Sequence, residues 1–262
     1  QVHALETDRS DKDSLNINVF NIEKYGLEQA DLIIAVSHYT KACIVENYGI
    51  NPDKIKVVHN SVSKVKVKTS NNKIVTKKDG QKLVLFLGRV TYQKGPDYFL
   101  EAAAKILKFD KNIQFVIAGH GDMINRLIER TAELKIGNKV HFTGFLNRVE
   151  VEALFRAADI YVMPSVSEPF GISGLEAALF DVPVILSKQT GVSEVLHNSL
   201  KVDFWDTNEL ANQIISLLKN PALEKQILLG AARELKETQW ENSARKIIDI
   251  YETMTQRAHN YA

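Results

Sequence analysis

Cysteine is almost absent from the 262-residue sequence: Cys43 stands alone, so no internal disulfide can form. A lone thiol fits a reducing compartment better than a stapled secreted scaffold, and the cytoplasm is the expected location. Proline and glycine are sparse, at 6 and 13 residues, which excludes collagen-like and low-complexity compositions. Long apolar runs are missing too; none approaches the roughly 20 residues that span a bilayer. Neither sign of charge dominates. Lys and Arg total 33 and Asp and Glu 32, a balance that argues against an extended nucleic-acid footprint. There is no Gly-x-x-x-x-Gly-Lys-Ser/Thr phosphate loop and no Gly-x-Ser-x-Gly nucleophile elbow. The histidines His38, His59, His141, His197 and His259 show no metal-ligand spacing. The chain starts Gln1-Val2-His3, with neither Met nor a signal peptide, and reads as beginning inside a longer protein or as trimmed.

Material for a core is present. Hydrophobic residues make up 45% of the chain, and a chain of this length buries roughly three quarters of its unfolded surface. Short continuous apolar runs recur at Lys82–Gly88, Asn112–Gly119, Lys139–Gly144, Asp159–Pro164 and Val182–Leu186. Such runs suit strands buried on both faces. Helical patterns separate them, carried by Tyr98, Phe99, Ala102, Ala103, Ile106 and Leu107, then by Ile124, Leu127, Ile128 and Leu134, then by Val151, Leu154, Phe155 and Ala158. A short helix is expected over Gly174–Phe180. This alternation predicts an α/β fold with a parallel sheet covered on both sides, whose ligands bind at the strand C-terminal edge. Residues 30–59 predict a separate β-α-β piece: a strand over Ala30–Ser37, a helix over His38–Tyr48 and a strand over Lys54–His59. Residues 1–63 are assigned to one domain, 64–81 to a lysine-rich linker with turn signals at Asn71-Asn72 and Asp79-Gly80, 82–235 to a second domain and 236–262 to a C-terminal helix.

Two loops carry the candidate chemistry. In Gly88-Arg89-Val90-Thr91-Tyr92-Gln93-Lys94-Gly95, two cations on a glycine-bounded loop follow a strand and lead into a helix. Together they can converge on a diphosphate; the same residues would also suit an ordinary solvated loop. In Glu168-Pro169-Phe170-Gly171-Ile172-Ser173-Gly174-Leu175-Glu176, a glycine turn again opens a helix, and its N–H groups can face an anion. Glu168 and Glu176 flank that turn. Carboxylates beside a phosphate are unfavourable unless they face hydroxyls, so a ligand with central phosphates and polyols at both ends, such as a nucleotide sugar, satisfies the whole set. Two acids complementing a helix dipole are the plainer alternative, but that leaves the glycine turn and Pro169 unexplained. Gly119-His120-Gly121 fails the dinucleotide fingerprint because Ile124 takes the third glycine position; it reads as a strand-end turn with His120 available to a ligand. Asp11-Lys12-Asp13 is an Asp-x-Asp pair in a polar stretch and reads as solvated loop. Tyr39, Tyr48, Trp205 and Trp240 read as core or interface aromatics.

At these residues the sequence resembles the retaining glycosyltransferases of family 4, the glycosyl transferases group 1 domain, which have the two-domain GT-B fold. Glu168 to Glu176 resembles the family's Glu-x7-Glu motif, and Phe86-Leu87-Gly88-Arg89 with Lys94-Gly95 its phosphate-binding loop. Ala118-Gly119-His120-Gly121 and Val140 to Gly144 resemble further family runs, and Ala30 to Ser37 and Val57-Val58-His59-Asn60 resemble the end of its N-terminal domain. Ser61 stands where the family commonly has Gly.

The resemblance implies a GT-B protein lacking most of its N-terminal domain. It implies sugar transfer from a nucleoside diphosphate sugar to an acceptor (saccharide, lipid or small molecule) that the sequence does not name. The alternatives are a catalytically incomplete nucleotide-sugar-binding module and a GT-B epimerase. In the transferase reading Arg89 and Lys94 bind the diphosphate and stabilise its charge as the glycosidic bond breaks. Glu168 faces the donor sugar and Glu176 the ribose hydroxyls. Gly88, Gly171, Ile172, Ser173 and Gly174 supply backbone contacts, and Phe145 and Leu146 flank the nucleobase. His3 resembles a histidine that the family places on the N-terminal domain facing the sugar. No metal and no cofactor beyond the donor are implied. Peripheral contact with the inner face of a membrane is implied only through the part of the N-terminal domain not represented. Exposed apolar surface is expected near residues 20–60, where that part would pack.

Overall fold

A computed structural model describes residues 1–10, 14–63, 77, 78 and 80–260. The Asp11-Lys12-Asp13 pair, the Asn71-Asn72 turn and most of the 64–81 linker lie outside the described residues. The N-terminal part contains α1 (Glu6–Arg9), α2 (Ile17–Gln29), β1 (Ile33–Ala35), α3 (His38–Tyr48) and β2 (Ile55–Val57). β1 and β2 form a two-stranded parallel sheet with Ile33 opposite Ile55, and Val2 bridges in parallel to Ala35. Both strands are shorter than the apolar runs that predict them, because only these positions find a partner across the pair. Leu5, Leu27, Ile44, Tyr48, Ile50 and Ile55 are buried together, and Phe20 stacks on Tyr48 with ring centroids 4.4 Å apart. On α2 the apolar side chains of Ile17, Ile22 and Tyr25 are exposed, at the place where unpartnered apolar surface is expected.

The larger sheet comprises β3 (Lys82–Leu87), β4 (Ile113–Ala118), β5 (Val140–Gly144), β6 (Ile160–Met163), β7 (Val184–Ser187) and β8 (Leu200–Val202). All its pairings are parallel, in the order β5-β4-β3-β6-β7-β8. The connecting helices are α4 (Pro96–Leu107), α5 (Ile124–Glu133), α6 (Arg148–Ala157), α7 (Ile172–Leu179), α8 (Thr207–Lys219) and α9 (Pro221–Glu237), followed by α10 (Trp240–Asn260).

Alternation along β3 divides the core. Val84 and Phe86 face a cluster with Phe99, Ile106, Leu127 and Ile214 from α4, α5 and α8. Leu83 and Leu85 face a cluster with Leu154, Phe155, Leu175 and Ala178 from α6 and α7. Period-two side-chain placement on a sheet covered on both faces produces the continuous apolar runs seen in the sequence. It also places α4, which follows β3, and α7, which follows β6, on opposite faces of the sheet. β3 and β6 are neighbours, so the chain order reverses between them and a crevice opens at their C-terminal ends.

The two sheets meet at that edge. Ser37 caps α3 by accepting the Thr40 amide at 2.9 Å, and its own hydroxyl donates to the Pro169 carbonyl at 2.5 Å. Thr40 Oγ1 donates to the same carbonyl at 3.2 Å. Glu194 accepts the amides of His38 and Tyr39 at 2.8 and 2.7 Å, an anion held at a helix N-terminus. At the other side of the junction Ser243 of α10 donates to the His59 carbonyl at 2.8 Å. Replacing Ser37 with Ala removes a cap and one bond across the junction. Ser37→Ala is expected to lower stability by about 1–2 kcal/mol in urea denaturation, the ordinary cost of losing a serine cap with its contacts.

Candidate functional site

The candidate site is built from the loops at the C-terminal ends of β3, β4, β5 and β6. Their backbones are laced together. Val90 donates to the His120 carbonyl at 3.0 Å, and Gly119 donates to the Gly144 carbonyl at 3.0 Å. Gly119 has φ +131°, and a Cβ there would overlap the Gly88 carbonyl oxygen. The Gly119-His120-Gly121 run is therefore the strand-end turn expected of it, and its glycine is explained by a close backbone approach rather than by a dinucleotide. His120 is exposed on that turn. Phe145 is exposed beyond Gly144, while Leu146 packs partly buried against the α6–α7 side of the core.

The two loops that flank the crevice touch directly. Residues Tyr92–Lys94 form a short 3-10 turn, and the Gln93 carbonyl accepts the Val166 amide at 2.9 Å. Lys94 Nζ is ion-paired with Glu168 Oε2, both side chains largely shielded from solvent. Arg89 is exposed and donates through Nη2 to the buried Gln93 side chain at 3.0 Å. Thus Arg89, Gln93, Lys94 and Glu168 form one connected group across the crevice. No local pattern singles out Gln93; only its position beside Lys94 in the two-cation loop points to it.

Gly171 adopts φ +96°, and a Cβ there would lie 2.8 Å from Met163 Sδ and 3.0 Å from Glu168 Cγ. Glycine is required by both the left-handed backbone and the crowding. It caps α7, which starts at Ile172, two residues ahead of the expected start, and no side chain caps the first turn. The N–H groups at this helix end therefore have no side-chain acceptor, an arrangement that suits an anion. Ser173, in that turn, is held by the Tyr161 hydroxyl at 2.8 Å, and the same hydroxyl lies 3.3 Å from the Leu87 carbonyl. Burial drives the Tyr161 phenol well above its usual range, so it stays a neutral donor at any physiological pH.

Glu176 lies on the exposed flank of α7, half-buried in a cleft of about 520 Å³ shared with Arg148, Glu152, Phe155, Ile172 and Trp240. Burial raises its carboxyl pKa, Arg148 opposes the shift and Glu152 adds to it. Among the described residues its side chain has no hydrogen-bond partner. An acceptor-only group in that state is stabilised by incoming hydroxyl donors. Trp240 is 45% exposed and lines this cleft, and Trp205 is 58% exposed. Of the four aromatics read as core or interface, Tyr48 is fully buried.

His3 is exposed beside the Val2–Ala35 bridge, and among the described residues no hydrogen bond ties it to the crevice. Asp8, five positions on, does reach it: Ser167 Oγ donates to Asp8 Oδ1 at 2.8 Å, and Tyr39 donates to Ser167 at 3.0 Å. Burial raises the Asp8 pKa, a Leu5 amide hydrogen bond offsets part of the shift, and the nearby Glu168 charge adds to it. No spacing signal in the sequence marks Asp8, because its partner is 159 positions away.

The Tyr161 hydroxyl is the buried tie between β3, β6 and α7. Tyr161→Phe is expected to lower stability by about 1–2 kcal/mol in urea denaturation, because Ser173 loses its partner in a site that water reaches poorly.

A family model described as glycosyl transferases group 1 matches residues 67–234, and one described as Glycosyltransferase Family 4 matches residues 2–64. An uncharacterized glycosyltransferase of Methanocaldococcus jannaschii is 31% identical over 232 residues, covering 84% of this chain and 59% of the relative. The glycogen synthase of Mycobacterium tuberculosis is 26% identical over 257 residues, covering 95% of this chain and 61% of the relative. The chain thus spans about three fifths of the length of these relatives. Among solved structures, sucrose-phosphate synthase from Thermosynechococcus elongatus superposes with TM-score 0.79 at 22% identity, over 97% of this chain and 67% of that one. The Anabaena HepE protein in complex with UDP and glucose superposes with TM-score 0.79 at 21% identity, over 91% of this chain and 68% of that one. These likenesses give the fold as GT-B. With a model of the family matching well over half of its residues, the chain belongs to the glycosyl transferases group 1 family.

Proposed function

We propose that the chain supplies the donor half, and the adjoining edge of the acceptor-side half, of a retaining glycosyltransferase acting on a nucleoside diphosphate sugar. The observation that carries this reading is the Lys94–Glu168 ion pair at the crevice between β3 and β6, set beside the open helix end at Gly171. Complexes of the Anabaena relative with UDP and glucose support a donor of this class.

In this reading the diphosphate lies against the first turn of α7. The N–H groups at Ile172 and Ser173 and the helix dipole favour its charge before reaction. Arg89 and Lys94 add mobile positive charge, which matters most as the bond from the anomeric carbon to the phosphate oxygen breaks and negative charge grows on the leaving group. Lys94 exchanges Glu168 for the phosphate. Glu168, released, accepts from hydroxyls of the donor sugar and supports positive charge near the anomeric carbon. Glu176 accepts from the ribose hydroxyls, and Phe145 and Leu146 border the nucleobase. His3 faces the sugar from the N-terminal side. Retention follows from attack on the same face through an oxocarbenium-like transition state. The acceptor is a saccharide, a lipid or a small molecule, and residues 1–63 form the end of its domain. No helix among the described residues is long and apolar enough to cross a membrane.

Calorimetry with UDP, GDP and ADP and their sugar esters tests this reading. Arg89→Ala and Glu176→Ala are each expected to weaken binding of the preferred nucleotide by about tenfold or more, the worth of one charge-assisted hydrogen bond. Unchanged affinity in both variants would remove the assignment. Glu168→Gln separates sugar from phosphate. Binding of the nucleoside diphosphate is expected to hold or tighten, because a negative charge near the phosphates is gone. Preference for the sugar ester over the bare diphosphate is expected to fall; a preserved preference would place the sugar away from Glu168.

A further inference from the structure

Three metal-ligating side chains outside the donor site converge where the two sheets meet. His38 is the first residue of α3, His59 lies just beyond β2, and Glu194 ends the 3-10 turn Gly191–Glu194. One ligand atom from each lies within 4.8 Å of the others. His59 Nε2 is 2.8 Å from Glu194 Oε2, and the rings of His38 and His59 are 5.9 Å apart, tilted at 54°. Among the described residues the His38 ring has no hydrogen-bond partner, although its backbone amide is bound to Glu194. That ring is open to solvent, while His59 and Glu194 are half-buried. An ion can therefore enter from the His38 side.

We propose that His38, His59 and Glu194 form a binding site for a Zn2+-type ion that pins the N-terminal part of the chain to the donor-side sheet. Two imidazoles and one carboxylate are a donor set suited to Zn2+, with a fourth position left for water. Mg2+ and Ca2+ prefer oxygen-only shells and are poorly served by it. Ligand atoms 2.0–2.2 Å from one ion lie within about 4.4 Å of each other, so a small swing of the exposed His38 ring closes the cluster. On binding, the ion takes the place of the His59–Glu194 hydrogen bond. The amides of His38 and Tyr39 stay on the carboxylate and orient it, as hydrogen bonds behind a metal ligand do.

The position gives the ion a mechanical role. The His59 ring lies against Phe170, centroids 6.2 Å apart, and the Phe170 carbonyl accepts the Val192 amide at 2.6 Å. Phe170 leads straight into Gly171 and the first turn of α7. None of the ion's three ligands is a residue assigned to the sugar nucleotide. The ion fixes the spacing between α3 and the turn that carries Glu194, and so limits how far the crevice can open from that side.

Calorimetric titration of the EDTA-treated chain with ZnCl2, in the absence of any nucleotide, tests the proposal independently of the donor reading. One site per chain is expected. His38→Ala is expected to weaken it by more than about tenfold, as loss of a ligand should. The same substitution is expected to leave the urea midpoint in EDTA unchanged, because the alanine amide still donates to Glu194. Zn2+ is also expected to raise the thermal midpoint of the parent and not of His38→Ala, and MgCl2 to do neither. Equal Zn2+ affinity in parent and variant, no Zn2+ binding by the parent, or equal binding of Mg2+ would each overturn the proposal.

Discussion

The ion pair between Lys94 and Glu168 joins the two loops that leave the sheet on either side of its point of reversal. β3 sends its chain to α4 on one face and β6 sends its chain to α7 on the other, so the loops diverge and leave a gap that only side chains can bridge. Both partners are largely withdrawn from water, where an unpaired charge is expensive. Each therefore stabilises the other until something else takes its place. A diphosphate at the open end of α7 offers Lys94 a second anion, and the hydroxyls of a sugar offer Glu168 donors. In the proposed function, ligand exchange at this one pair couples phosphate recognition to sugar recognition.

The shape of the Ser165–Gly171 loop depends on both parts of the chain. From below, the Gln93 carbonyl holds Val166, and the Glu168 amide donates to the Gln189 carbonyl at 3.0 Å. From the N-terminal side, Ser37 and Thr40 hold the Pro169 carbonyl, and Asp8 with Tyr39 holds Ser167. A motif that reads as a contiguous string in the sequence is thus kept in position by residues 120 to 160 positions away. The buried Asp8 makes this support at a cost, since its charge is disfavoured by burial and by Glu168 nearby.

How much of this the sequence carries depends on the range of each interaction. β3, β4, β6 and β7 announce themselves because strands covered on both faces need nearly uninterrupted apolar runs, whereas the edge strand β5 buries only Val140 and shows a weaker run. β8 does not announce itself, because Lys201 breaks a strand only three residues long and only Val202 is buried. The α7 turn is legible from Gly171 and the flanking glutamates. The pairing of Lys94 with Glu168, 74 positions apart, is not, since no local pattern encodes a contact made by tertiary packing. The same limit hides the proposed ion site: His38 and His59 lack ligand spacing, and Glu194 joins them from a turn between β7 and β8. Trp205 and Trp240 read from the sequence as core or interface aromatics, and only their exposure, at a loop and at the rim of the Glu176 cleft, separates the two.

A crystal structure of the chain with a bound sugar nucleotide tests the exchange at this pair most directly. The diphosphate is expected on the first turn of α7, with Lys94 turned onto a phosphate oxygen and Glu168 facing the sugar. A diphosphate bound elsewhere, or bound at α7 with Lys94 and Glu168 still paired, would contradict the exchange.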